Sequence, residues 1–89
     1  MKTYLIGYDL NKTGQNYDIL ISEIKKIGTW WHCLDSTWLI KADSSTAIIR
    51  DHLRNFIDTN DELLVVCLTG EAAWVGFSDE CSSWLKNNL

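Results

Sequence analysis

The sequence predicts a small α+β domain that spans residues 1–89, with a ferredoxin-like β-α-β-β-α-β core followed by a short extra C-terminal strand and helix. Three observations lead to this prediction. The chain has only 89 residues, which is enough for one core. β-prone runs and helical patterns alternate along it in that order. It contains no Pro and no low-complexity tract, as expected for one continuous unit.

The first strand and helix are the clearest elements. The run Thr3 to Leu10 is rich in Tyr, Leu and Ile and ends at turn-forming residues, which is typical of a buried strand. Asn16 can cap the helix that follows, and Gly28 marks its end. The apolar residues of this helix recur at helical spacing and are Tyr17, Leu20, Ile21, Ile24 and Ile27.

A β-hairpin comes next. The β-prone runs Thr29 to Leu34 and Thr37 to Ala42 are separated by Asp35 and Ser36, a pair suited to a tight turn. The sequence therefore predicts two antiparallel strands here.

A second helix is predicted to begin at Ser44 or Ser45. Its inner stripe consists of Ile49, Leu53, Phe56 and Ile57.

The remaining chain has three predicted elements. The apolar run Leu63 to Leu68 is a central strand, Ala72 to Phe77 is a short extra strand, and Ser78 begins a final helix that carries Trp84 and Leu85.

This order of elements predicts that the chain works as a homodimer. Right-handed crossovers place the first two helices on one face of the sheet and leave the other face open. The strands show no consistent polar alternation, so the second face should also be buried. Five Trp, three Tyr and two Phe are more than one small core comfortably buries. A second copy on a two-fold axis is the simplest cover, with the C-terminal residues forming or wrapping that contact.

Charge and cysteine usage narrow the class of protein. The formal net charge of −4 opposes a surface that attracts nucleic acid everywhere, although a local basic patch remains compatible with it. The cysteines Cys33, Cys67 and Cys81 are odd in number and show no CxxC spacing, which indicates reduced thiols in a cytoplasmic protein. Asp9 interrupts the N-terminal apolar stretch, and no run is long enough to span a membrane.

Asp9 is the first candidate for chemistry. A carboxylate at the end of a buried strand can bind a hard cation, since Mg²⁺ and Mn²⁺ favour oxygen ligands. A two-fold axis near Asp9 would bring two such carboxylates together and leave room for water and phosphate. Asp9 is thus the predicted catalytic and metal-binding residue, with its neighbour Tyr8 beside the substrate. The structural alternative is that Asp9 only stops the strand or caps the next turn.

The hairpin is the second candidate. Residues 30–38 combine several aromatic rings with His32, which could act as a general acid or base near neutral pH. The predicted binding residues there are Trp30, Trp31, Asp35, Ser36 and Trp38, because exposed Trp rings can stack on bases. Alternate strand residues face opposite ways, so Trp30 and His32 should share one face. The alternative is dimer packing with a hydrogen-bonded histidine.

The other polar residues considered are interpreted as structural and not as parts of a functional site. His52 has no partner at zinc-site spacing, so it is interpreted as structural. Arg50 and Arg54 lie one helical turn apart, but they alternate with Asp51 and Asp58, which favours a solvated face over a phosphate site. No dinucleotide-binding, P-loop or nucleophile-elbow pattern occurs in the sequence.

The segments Tyr-Leu-Ile-Gly-Tyr-Asp-Leu at residues 4–10 and Leu-Asp-Ser-Thr-Trp-Leu-Ile at residues 34–40 resemble the superfamily of the small CRISPR-associated adaptation subunit. That superfamily also holds the virulence-associated protein D ribonucleases. The resemblance extends through Leu68 and is closest to small uncharacterised bacterial and phage-type members. It implies a ferredoxin-like homodimer in which the strand-end acid, here Asp9, binds the metal for phosphodiester cleavage. Other members bind nucleic acid as scaffolds.

The sequence departs from the adaptation subunits after the first strand. Between Asp9 and Tyr17 only Lys12 is positive, which opposes binding of duplex DNA. The leading hypothesis is therefore a homodimeric endoribonuclease that uses Mg²⁺ or Mn²⁺ and prefers RNA to duplex DNA. The alternative is a non-catalytic homodimeric binding or scaffold module that recognises a protein partner or a nucleotide through its Trp-rich hairpin.

Overall fold

The structure is a computed structural model that describes residues 1–11 and 17–89. Its elements in chain order are β1 (Lys2–Asp9), α1 (Asp18–Ile27), β2 (Thr29–Leu34), β3 (Thr37–Ala42), α2 (Thr46–Leu53), a 3₁₀ turn (Arg54–Phe56), β4 (Glu62–Cys67) and α3 (Asp79–Asn88). The predicted α+β class is confirmed, since four antiparallel strands form one sheet and three helices accompany it.

The strands lie in the order β2-β3-β1-β4. β1 occupies the middle of the sheet and pairs antiparallel with both β3 and β4. Its apolar residues explain this central position, because a strand with neighbours on both sides is buried most completely. β2 and β4 are the two edge strands.

Helices α1 and α2 cover the first face of the sheet. The buried side chains of this first core are Tyr4, Ile6, Leu20, Ile24, Trp38, Ile40, Ala42, Ile49 and Leu53. They come from alternate strand positions and from one stripe of each helix, as the periodicity predicts. The Tyr4 hydroxyl satisfies its hydrogen bond by donating to the backbone oxygen of Ser44 at 2.5 Å.

The second face is covered by the chain's own C-terminal residues. The sequence predicts that this face is buried, most simply by a second copy, whereas for this part of the sheet the cover comes from the same chain. Helix α3 buries Leu85 against Trp31 and Leu39. The partly buried residues around this second core are Leu5, Cys33, Leu68, Trp74, Phe77, Cys81, Trp84 and Leu89. The sequence predicts that these residues form or wrap a contact between two copies, whereas this packing lies within one chain.

The predicted extra strand between Ala72 and Phe77 does not form. Gly70 and Gly76 adopt positive φ angles of 98° and 90°, so the backbone turns at both ends of this segment instead of running extended beside the sheet. Its aromatic residues Trp74 and Phe77 pack onto the second core through their side chains. The apolar composition of this segment therefore reflects packing on the second core and not pairing with a strand.

Cys33 of β2 and Cys81 of α3 form a disulfide, and Cys67 is free and exposed. The prediction that all three cysteines are reduced is therefore wrong. The two partners are 48 residues apart, and only the docking of α3 brings them together. Since disulfides persist mainly in oxidising surroundings, the cysteines no longer support a reducing cytoplasm. The cytoplasmic location stays a prediction.

Local sequence signals set the helix ends. Ser45 caps α2 by accepting a hydrogen bond from the Ile48 N–H, and Ser78 caps α3 in the same way from the Cys81 N–H, both at 3.2 Å. The predicted cap at Asn16 lies outside the described residues. Gly28 ends α1, where a Cβ atom would collide with the carbonyl oxygen of Lys41.

Candidate functional site

An open cavity of about 470 Å³ lies where β1 ends, beside the β2–β3 turn and the start of β4. Its lining residues are Gly7, Tyr8, Asp9, Ser36, Thr37, Glu62, Leu63 and Leu64. Three predicted site residues, Tyr8, Asp9 and Ser36, therefore meet at one place. The backbone fixes this meeting, because the Tyr8 N–H donates to the Ser36 carbonyl at 3.1 Å and holds the turn against β1.

Two acidic residues on neighbouring strands line the cavity. Asp9 of β1 and Glu62 of β4 are register partners in the antiparallel ladder, and both are exposed. Directly opposed residues place their side chains on the same face, a few ångströms apart. Like charges in this position repel each other, so a cation between them would remove an unfavourable interaction.

Glu62 was missed by the sequence analysis. It stands one residue before the apolar run Leu63 to Leu68, and the antiparallel pairing of that run with β1 is what brings it opposite Asp9. The predicted strand order could have identified Glu62, if the pairing of β1 with β4 had been followed residue by residue to the ends of the two strands.

The loop before β4 holds Glu62 in place. The Asn11 side-chain amide donates to the Asn60 carbonyl at 2.7 Å and makes a longer contact of 3.4 Å to Glu62 Oε1. The Asn11 backbone N–H donates to Asp61 Oδ1 at 2.8 Å, and the Tyr17 hydroxyl reaches the same carboxylate at 2.9 and 3.0 Å. Asp61 thus anchors the loop, and Glu62 remains directed at the cavity.

The donor set fits a hard divalent cation. No group of three or more His, Cys, Asp and Glu side chains that could hold a metal occurs within residues 1–11 and 17–89. Zinc sites usually need three or four such ligands, whereas Mg²⁺ is commonly held by one or two carboxylates together with water and substrate phosphate. Asp9 and Glu62 can supply the two carboxylates, and the hydroxyls of Ser36 and Thr37 lie on the same cavity wall.

The aromatic residues of the hairpin form an ordered stack on the first face. Trp38 is almost fully buried and donates from Nε1 to the Tyr8 hydroxyl at 3.0 Å. The His32 ring lies parallel to the Trp38 ring, with centroids 3.7 Å apart and an interplanar angle of 11°. Trp30 contacts the same Trp38 ring at 5.4 Å and is 43% exposed. The expectation that Trp30 and His32 share a face is confirmed.

A hydrogen bond also fixes the His32 ring. Nε2 lies 2.9 Å from the backbone carbonyl of Asp35. A carbonyl oxygen only accepts, so Nε2 is the donor in this hydrogen bond. His32 is exposed, as is Asp35.

Trp31 faces the other way and belongs to the second core. Its indole is 5% exposed, donates from Nε1 to the Cys81 carbonyl at 3.1 Å and meets the Phe77 ring edge-on at 5.1 Å. Trp31 therefore packs under α3. No accessible ring face is left for the binding role that the sequence predicts for it.

The two predicted catalytic residues do not meet within one chain. Asp9 alternates with Tyr8, whose side chain contributes to the first core, so Asp9 points from the second face. His32 stacks on Trp38 and therefore lies on the first face. The cavity and the aromatic stack are separate surfaces joined by the hairpin.

The residues interpreted as structural make local contacts. His52 Nε2 lies 2.9 Å from Glu23 Oε1 and links α2 to α1. Arg50 binds the neighbouring Asp51 carboxylate through two nitrogen atoms at 2.9 and 3.0 Å. Both side chains of this ion pair are more than half exposed, as expected for a solvated helix face.

No protein-family model matches the chain. No solved structure matches it significantly. Among the helices of the described residues, none has the length and apolar character needed to cross a lipid bilayer.

Proposed function

We propose that this protein is a homodimeric phosphodiesterase that depends on a divalent metal and cleaves RNA. The observation that carries the proposal is the pair Asp9 and Glu62, two carboxylates placed directly opposite each other in an open cavity of about 470 Å³. Paired carboxylates with room for phosphate are what Mg²⁺ or Mn²⁺ chemistry on a phosphodiester requires.

The chain's residues have distinct roles in this proposal. Asp9 and Glu62 would hold the cation, which would supply charge stabilisation for cleavage of the phosphodiester. Ser36 and Thr37 can donate hydrogen bonds to phosphate oxygens on the adjoining wall of the cavity. His32 is on the other face, so we assign the reaction to the carboxylates and leave His32 to substrate binding.

Fold and charge support the same assignment. The order β2-β3-β1-β4 with antiparallel neighbours, and helices after β1 and β3, supports a ferredoxin-like topology. This topology agrees with the resemblance to the adaptation-subunit and virulence-associated protein D superfamily, to which we propose the chain belongs. Only Lys12 is positive between Asp9 and Tyr17, which opposes binding of duplex DNA, since that binding depends on many basic contacts.

Cleavage of labelled single-stranded RNA, duplex RNA and DNA with Mg²⁺ or Mn²⁺ tests the proposal. We expect Asp9→Asn and Glu62→Gln each to reduce the cleavage rate by about 100-fold or more, because each removes a charge worth several kcal/mol of transition-state stabilisation. A chelator should abolish cleavage.

Asp43→Asn is the matched control, since it removes one exposed carboxylate outside the cavity and should leave the rate unchanged. Wild-type rates in both cavity variants, or no cleavage of any substrate, would contradict the assignment.

The second candidate function is a non-catalytic homodimeric scaffold for a protein partner. It is favoured by an apolar groove of about 370 Å³ on the second face, beside the exposed side chains of Leu34 and Val75. Co-purification of a partner that Asp9→Asn retains and Leu34→Lys loses would support this function.

A further inference from the structure

The rim of the sheet at β2 presents two aromatic rings and one cation, here called the stacking surface and defined as Trp30, His32 and Lys25. Trp30 and His32 stand two residues apart on an edge strand and face the same way, about 7 Å from each other along the strand. Lys25 of α1 places its ammonium 5.0 Å from the centre of the Trp30 ring.

The exposed His32 has two contacts that orient its ring. Trp38 covers its inner face at 3.7 Å, and Trp38 is in turn buried and bound to the Tyr8 hydroxyl. The bond from His32 Nε2 to the Asp35 carbonyl prevents the ring from rotating. Both the stacking contact and the hydrogen bond thus orient this exposed histidine. A ring that is already oriented loses little conformational entropy when another ring stacks on it.

Trp30 adds an exposed indole at the neighbouring position. It is 43% exposed. Single exposed apolar residues are common on protein surfaces, so exposure alone carries no conclusion. The combination does, because aromatic side chains at alternate strand positions receive successive unpaired bases in single-strand-binding folds.

The charge at this surface suits a phosphate backbone. Lys25 has no carboxylate partner among the described residues, whereas its neighbour Lys26 is paired with Glu23 at 2.9 Å. A lysine held near the rings by a cation–π contact can move to a phosphate that follows a stacked base. The contribution is local, which is compatible with the negative charge of the whole chain.

We propose that Trp30 and His32 bind unpaired nucleobases of a single RNA strand by stacking, while Lys25 contacts the adjoining phosphate. The proposal deepens the proposed function, on which it rests for the choice of RNA, by naming a single strand as the substrate. Paired bases in a duplex are already stacked on their neighbours and cannot lie on these rings. The strand would pass around the β2–β3 turn to reach Asp9.

Fluorescence anisotropy with a labelled 12-nucleotide RNA, measured in chelator so that no cleavage occurs, tests this binding. We expect Trp30→Leu and His32→Ala each to weaken binding by roughly 5- to 100-fold, the range expected for the loss of one base–aromatic stack. Trp30→Phe, which retains a ring, should recover most of the affinity. The same RNA annealed to its complement should bind more weakly and respond little to Trp30→Leu.

The control is Ile48→Ala, which removes another exposed apolar side chain on α2 and should bind as the wild type does. Unfolding midpoints of all variants establish that each is folded. Equal affinity of Trp30→Leu, His32→Ala and wild type would overturn the proposal, as would the absence of single-strand binding.

Asp9→Asn separates this inference from the proposed function. It should retain single-strand binding while losing cleavage. If cleavage depends on Asp9 but binding ignores Trp30 and His32, the stacking site is wrong and the proposed reaction stands. If Trp30 controls binding but no metal supports cleavage, the proposed reaction is wrong and the stacking site stands.

Discussion

Glu23 illustrates how a single residue joins two elements of this fold. From α1 its carboxylate accepts hydrogen bonds from Lys26 on the same helix and from His52 on α2, both at 2.9 Å. Lys26 first, and His52 second, lower the pKa of Glu23 below its ordinary value near 4.5, because both stabilise the ionised form. The two helices are thus linked by a charge that depends on pH.

The sign of this dependence follows from linkage. Glu23 is harder to protonate in the folded than in the unfolded chain, so its contribution to stability is present above the ordinary pKa and is lost as the pH falls through the lowered folded value. We expect Glu23→Gln to be less stable than wild type at pH 6 and to lose less of its stability below pH 4.5. Urea midpoints across this range measure both effects. Glu71→Gln, an exposed loop substitution, should keep the wild-type profile.

At the candidate site, the residues identified from the sequence are those whose positions follow from the few residues around them. Asp9 and Ser36 stand at a strand end and in a turn, positions that can be recognised from the chain alone, and both line the cavity. Glu62 depends on the β1–β4 register, which is a long-range property. Strand alternation also predicts that Trp30 and Trp31 lie on opposite faces, as they do, but it does not predict that the tail buries Trp31.

The same division holds for the elements. The predicted hairpin strands Thr29–Leu34 and Thr37–Ala42 agree with the observed bounds, and the serine caps of α2 and α3 were foreseen, because alternation and capping act over a few residues. The path of residues 68–78 was not foreseen. It depends on how the tail packs on the second core, and no short-range signal encodes that packing.

The disulfide is the main covalent constraint on α3. It closes a loop between positions 48 apart, and chain entropy favours the folded state when such a loop is closed. The helix also packs on the second core, where Leu85 is its one buried residue among those described. It accepts hydrogen bonds from Trp31 at the Cys81 carbonyl, from Thr3 at the Asn88 carbonyl and from Trp74 at the Ser82 hydroxyl.

Removal of this bond should therefore destabilise the protein. We expect Cys33→Ser, or reduction of the wild type with dithiothreitol, to lower the free energy of unfolding by about 2–4 kcal/mol. Amide hydrogen exchange should increase most in α3. Urea unfolding measures the first effect and mass spectrometry the second.

Cys67→Ser is the control for the disulfide, since Cys67 is exposed and unbonded and its replacement should change neither quantity. Thiol titration of the denatured wild type should find one reactive thiol before reduction and three after it. Three thiols before reduction would refute the disulfide.

For the whole molecule, the tail changes the argument for a dimer. The second face is largely covered, so a second copy is no longer needed to bury Trp31 and Leu39. Apolar side chains also remain exposed on β4, an edge strand whose outer side pairs with no other described strand. Leu64 is 58% exposed and Val66 is 38% exposed on the second face of that strand. Apolar side chains on a free edge are a common basis for pairing between chains.

The proposed homodimer should therefore depend on β4. We expect wild-type protein to sediment as a dimer and Leu64→Lys to sediment as a monomer at the same concentration, because a lysine at the seam places two buried positive charges near the two-fold axis. Ile19→Lys introduces the same charge at a similarly exposed position on α1 and should leave the dimer intact. If Ile19→Lys alone dissociates it, the helical face is the interface. A wild-type protein that stays monomeric at every concentration would contradict the proposed homodimer. Asp9 and Glu62 of one chain must then bind the metal without a second copy.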